Sequence, residues 1–167
     1  MIKRTAALLG ALVLLICIFT GCSEEQSDVK VELNLDVEEQ LNDLTFHVSH
    51  YWEDMGAQEG IENSHMYTVG KSQQNYIGLS LLYFDDAALE LDPDMEGGEV
   101  LDIREVDLGD GGYEYRVATG TEERPSQMYH VRIPYGGGVY VISLMGYDLS
   151  PADEMWENFL NHLEFGN

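Results

Sequence analysis

Asp92, Asp94, Glu96 and Glu99 place four carboxylates within eight positions, with Gly97 among them. Hard cations take oxygen ligands, and calcium loops space such ligands at alternate positions around a glycine turn. The register departs from a helix-flanked calcium loop. Counted from Asp92, the twelfth position should carry a bidentate acid, but it is Ile103, and no helical pattern precedes the run. A solvated acidic loop explains the segment, and a simpler calcium site built from Asp92, Asp94, Glu96 and Glu99 stays open as the alternative. The five histidines are His47, His50, His65, His130 and His162. His47 and His50 are three apart on a segment that alternates like a strand, so they should point to opposite faces, and no His-Glu-x-x-His spacing occurs. Gly109-Asp110-Gly111-Gly112 and Gly136-Gly137-Gly138 are rich enough in glycine to cradle phosphate, yet neither opens a helix with Lys-Ser or Lys-Thr. No serine sits in Gly-x-Ser-x-Gly. No nucleophile–base pair or cofactor loop emerges, and the expectation is a protein that is not an enzyme and holds no cofactor.

The remaining reactive residue is Cys22. Lys3 and Arg4 give a basic start, an uncharged, largely apolar run extends from Ala6 to Phe19, and Thr20-Gly21-Cys22 closes it. Crossing a bilayer takes about 20 apolar residues, whereas roughly 10 to 14 suit the apolar core of a signal peptide. The layout is that of a secretory signal whose small-residue cleavage site ends on cysteine. It resembles the lipobox of bacterial lipoproteins, with bulky, apolar Phe19 where that family prefers Leu. The resemblance implies that Cys22 takes a diacylglycerol thioether, with acyl chains such as palmitate, and becomes the first residue of the mature protein. Two acyl chains, at about 0.8 kcal/mol per buried methylene, anchor stably where one does not. The expected location is the outer face of the cytoplasmic membrane or the cell surface.

Cleavage before Cys22 removes 21 of 167 residues and leaves 146, one ordinary domain. It also takes the basic count from 8 to 6 against 31 acids, a formal charge of −25. Such a charge repels nucleic acid and anionic headgroups and favours a protein partner with a basic face. Cys17 lies in the discarded run, so the mature domain has no disulfide and must be held by its core. At 44% hydrophobic residues the chain can build one.

Three segments organise the chain: residues 1–21 as signal, 22–43 as lipidated cysteine, acidic tether and a possible first strand, and 44–167 as a single domain. Between Ser23 and Asp43 eight acids face the single base Lys30. Val29, Val31, Leu33 and Leu35 alternate with polar residues, as a half-buried strand would. Further strands are predicted over Leu44–Val48, Met66–Val69, Tyr76–Phe84, Glu99–Val106, Tyr113–Val117, Met128–Ile133 and Val139–Met145. Asp85 to Gly98 reads as a loop with a short helix near Ala87-Ala88-Leu89, stopped by Pro93. The two glycine-rich stretches join strand pairs as hairpin turns, because glycine accepts the positive φ they need. Last comes a helix over Ser150–Glu164, with Ser150 as N-cap and Pro151 at the first helical position. Met155, Trp156, Phe159, Leu160 and Leu163 form one apolar stripe that should pack on the sheet. The fold class expected is α+β, a mainly antiparallel sheet with a C-terminal helix packed on it.

This order of elements resembles the PsbP-like fold, a small α/β domain common in bacterial lipoproteins. The residues that carry the likeness are Leu44-Thr45-Phe46-His47-Val48-Ser49-His50-Tyr51-Trp52, the late strand pair Met128–Ile133 and Val139–Met145, and the closing segment from Trp156 to Phe165. Ser49 stands where members commonly carry proline. The resemblance implies an accessory or binding protein. The function expected is a membrane-anchored, extracytoplasmic, non-enzymatic module for an envelope protein partner; the alternative is a calcium-dependent or small-ligand-binding domain.

Overall fold

A computed structural model describes residues 29–72, 76–86, 99–121 and 124–166. Its strands are β1 (Lys30–Val31), β2 (Val37–Leu41), β3 (Leu44–Val48), β4 (Glu53–Gly56), β5 (Ser64–Lys71), β6 (Tyr76–Phe84), β7 (Glu99–Val106), β8 (Gly112–Thr121), β9 (Arg124–Tyr135), β10 (Gly138–Gly146) and β11 (Glu164–Phe165). A 3₁₀ turn over Ser150–Ala152 leads into helix α1 (Asp153–Asn161). The large sheet runs β1-β5-β6-β10-β9-β8-β7, with β4 sharing the outer edge of β5; a second sheet runs β11-β3-β2. All pairings are antiparallel. Both hairpins expected at the glycine-rich turns form, with positive φ at Gly109 and Gly111 in one, and at Gly136 and Gly137 in the other.

The apolar alternation of β6, β9 and β10 sends Leu79, Leu81, Val131, Ile133, Ile142 and Leu144 to one face of the large sheet. Against that face pack Leu44, Phe46 and Val48 of β3 and Met155, Trp156, Phe159 and Leu160 of α1. The helix and the small sheet therefore share one layer. Burying each large side chain contributes about 1.5–3 kcal/mol, so this interface supplies much of the cohesion among the described residues, which include no cysteine. A smaller cluster of Leu82, Val139 and Val141, with Ile61 and Phe84, lies on the other face.

Three local outcomes differ from the sequence expectation. Residues 37–41, read as part of the acidic tether, form β2 and pair with β3 through a tight turn in which Asn42 has φ +52. The helix stops at Asn161, and Glu164 and Phe165 turn back to pair with Thr45 and Leu44. That strand is held because Phe165 packs on Tyr135 and Tyr140, and Gly166 donates its N–H to the Asp43 carbonyl at 2.7 Å. Ser150 is not a side-chain cap. Asp148 Oδ1 instead accepts both the Ser150 N–H (3.0 Å) and hydroxyl (2.7 Å). The expected helix near Ala87-Ala88-Leu89 lies outside the described residues. Among the described residues no helix is long and apolar enough to cross a membrane.

Candidate functional site

Among the described residues the densest charged constellation forms where α1 crosses the β7–β8 hairpin. Register places Arg104 of β7 directly opposite Glu114 of β8, and Arg116, two residues on, faces the same way. The helix brings Asp153 and Glu157, one turn apart, and Trp156 to the same spot. The Glu114 side chain is 0% exposed. Its carboxylate accepts from Arg116 Nε at 2.9 Å, from Trp156 Nε1 at 3.0 Å, and from Arg104 Nε. Glu157 Oε1 accepts from Arg104 Nη2 at 2.6 Å and Arg116 Nη2 at 2.9 Å. Each arginine thus bridges a buried acid on the sheet and a half-exposed acid on the helix.

Tyr129 completes the array. Its ring lies 4.3 Å from the Arg116 guanidinium carbon, and its hydroxyl donates to Asp153 Oδ1 at 2.6 Å. Burial, then that bond to Asp153, pushes the Tyr129 phenol well above its ordinary range. Burial by itself would lower both guanidinium groups, but their bonds to Glu114, and for Arg104 also to Glu157, carry them upward overall. Three donors occupy the Glu114 oxygens, so the carboxylate has little capacity left to take a proton from a substrate. What the array does physically is tie the edge hairpin to the helix.

Beside it, between β7 and the C-terminal half of α1, runs a groove of about 240 Å³. Val106, Leu108 and Leu160, which belong to or pack against the core, give it an apolar floor. Glu105, Asp107 and Glu157 stand around it.

A second polar pair is sealed inside the sheet. Ser143 of β10 and His130 of β9 are cross-strand partners, with Oγ and Nδ1 2.6 Å apart. His130 Nε2 is buried without a hydrogen-bond partner, and burial lowers the imidazole to about 4. A serine beside a neutral imidazole has the makings of a nucleophile and base, and here both residues are buried, Ser143 at 4% and His130 at 8% exposed.

The residues singled out from the sequence fall elsewhere. Cys22, Asp92, Asp94 and Glu96 lie outside the described residues. Glu99 opens β7 and is exposed, opposite Ala118. His47, on β3, has Glu38 at 3.9 Å and His162 edge-on, while His50 sits in the following turn and bonds Asp36 at 2.6 Å. The backbone N–H of His50, then its ring, holds the Asp36 carboxyl below its ordinary range. Among the described residues no three His, Cys, Asp or Glu side chains converge as a metal site. The arginine–glutamate array was not foreseen. Its signal was scarcity: Arg104 and Arg116 are two of only eight basic residues.

No protein-family model and no curated protein sequence matches the chain. Solved structures do. The Ran-binding protein Mog1p of Saccharomyces cerevisiae superposes with a TM-score of 0.58 at 9% identity, over 80% of this chain and 96% of that one. A protein from Bacteroides thetaiotaomicron gives 0.54 at 12% identity, over 81% of this chain but 50% of its own length. The chain has the Mog1/PsbP-like α+β fold, a curled antiparallel sheet with one short C-terminal helix packed on it. At such identities the likeness is one of fold.

Proposed function

We propose that this protein is a lipoprotein, anchored through Cys22 on the outer side of a membrane, and that it serves an envelope protein as a non-enzymatic accessory module. The observation that carries the reading is Thr20-Gly21-Cys22 at the end of the apolar run from Ala6 to Phe19. The charge supports it indirectly. A chain of formal charge −23 is repelled by anionic headgroups, so on this reading the lipid on Cys22 supplies the membrane affinity. The same charge favours a partner with a basic face, whose association is fast at low ionic strength and slows with salt.

Mass spectrometry of the native protein should find diacylglyceryl-Cys22 at the N-terminus, and Cys22→Ser should move the protein from the membrane to the soluble fraction. An intact Met1 would overturn the anchor. Cross-linking in intact cells should recover one specific envelope protein, with recovery falling as ionic strength rises. Hydrolysis of an envelope substrate by the purified domain, lost on mutation of one acidic pair, would replace the module with an enzyme.

A further inference from the structure

Strand β7 ends the large sheet among the described residues, and no described strand pairs with its outer edge. From Asp102 to Val106 its register with β8 is continuous, past a bulge at Leu101. Leu101 is 53% and Ile103 54% exposed, an unusual outlay of aliphatic surface on an edge. Ile103 lies opposite Tyr115, and Glu105 opposite the exposed Tyr113, on the face turned away from α1. On the other face, beside Arg104, opens the groove with its apolar floor and its acids Asp107 and Glu157.

We propose that the outer edge of β7 receives an extended segment of a partner protein in which apolar residues alternate with lysine or arginine. Strand side chains alternate between faces, so one added strand would cover Leu101 and Ile103 with its apolar residues and send its basic ones into the groove. Lysine and arginine suit that groove because their methylene stems bury on apolar surface while the charged head stays at the rim. Main-chain bonds to the edge would give affinity, and the alternation would give specificity. Charge selects the occupant. From Glu99 to Asp110 five acids face one base, Arg104, and Glu114 and Glu157 already engage it. A second copy would bring the same acids against these, so a basic strand fits and self-pairing does not. The Arg104 tie to α1 also holds the edge in place before binding, which lowers the ordering cost. This inference rests on the reading of the chain as a partner-binding module.

The test uses the full chain with two synthetic probes, an alternating valine–lysine hexapeptide and its valine–glutamate counterpart. Hydrogen exchange of the Asp102–Val106 amides should slow with the lysine peptide alone, and less so at high salt. Ile103→Lys and Asp107→Lys should each weaken the lysine peptide by about tenfold while melting like the parent; Ile103→Ala replaces Ile103→Lys if that variant does not fold. No slowing at β7 at millimolar peptide, equal slowing with both peptides, or protection confined to another strand overturns the proposal. Photo-cross-linkers at Ile103 and at the distant, exposed Tyr51 separate the two readings. An envelope protein captured at Tyr51 but not Ile103 keeps the module and rejects the edge. Peptide binding at β7 with no envelope protein captured at either position keeps the edge and rejects the module.

Discussion

Two acids that share one arginine pair show how burial sets the worth of a charge. Glu114 is fully buried and takes three donors, whereas Glu157 is 45% exposed and takes two from the same arginines. Removing one partner from a buried pair strands the others, and typically costs about 3–5 kcal/mol; an exposed pair is worth about 1 kcal/mol or less. Glu114→Ala should therefore destabilise by about 3 kcal/mol, since its arginines can partly rehydrate, and Glu157→Ala by less than about 1 kcal/mol. Equal losses in urea melts would mean that the array acts as one surface network. His130 gives a second residue-scale test. Its folded value of about 4 lies below the ordinary 6.5, so between these values the unfolded chain binds the proton and the folded chain does not. The stability involved is present above about 6.5 and drains away as pH falls towards about 4, by at most about 3 kcal/mol. Relative to His130→Asn, which can keep a bond to Ser143, the parent should lose stability over that window; parallel pH profiles would show that the imidazole is not sealed.

At the scale of elements, legibility followed how much of a pattern was local. The β7–β8 and β9–β10 hairpins could be read because Gly109, Gly111, Gly136 and Gly137 occupy positive φ that few other residues accept. The apolar run of β6 announced a central strand, and it lies between β5 and β10. By contrast β2 hid behind Glu38, Glu39 and Gln40, because only Leu41 of its five residues is fully buried. Two-residue β11 exists through contacts with Leu44 and Thr45, more than 110 positions away, which no local period can reveal. Alternation in β8 does not reveal its inner face. Glu114 and Val117 are both buried while Tyr113 is exposed, because α1 brings Trp156 over Glu114, and Arg104 and Arg116 of the hairpin pair with its carboxylate. The helix stripe was legible except at its end: Met155, Trp156 and Phe159 are completely buried and Leu160 nearly so, while Leu163 is buried just past the last helical residue. Phe159 meets Phe46, Trp52 and Trp156, so Phe159→Ala should cost about 3–5 kcal/mol. A loss below about 1 kcal/mol in chemical denaturation would mean that the helix docks without it.

For the whole molecule the governing quantity is charge. Thirty-one acids stand against eight bases, and Arg104 and Arg116 are engaged in the array at the helix. Self-repulsion of this kind destabilises the compact state and is screened by salt over about 10 Å at 0.1 M. Raising sodium chloride from about 0.01 to 0.5 M should accordingly raise the melting temperature smoothly. Divalent ions add a sharper question, because Asp92, Asp94, Glu96 and the exposed Glu99 are the oxygen donors a calcium site would use. A solvated acidic loop screens either ion alike, whereas a site distinguishes the larger, more flexibly coordinated calcium from magnesium. At matched ionic strength, calcium and magnesium should therefore raise the melting temperature equally and without saturation. A saturable rise with calcium alone, abolished by Asp94→Asn and by Glu99→Gln, would instead make the acidic loop a ligand-binding element, with its stabilisation growing as the logarithm of free calcium above the dissociation constant.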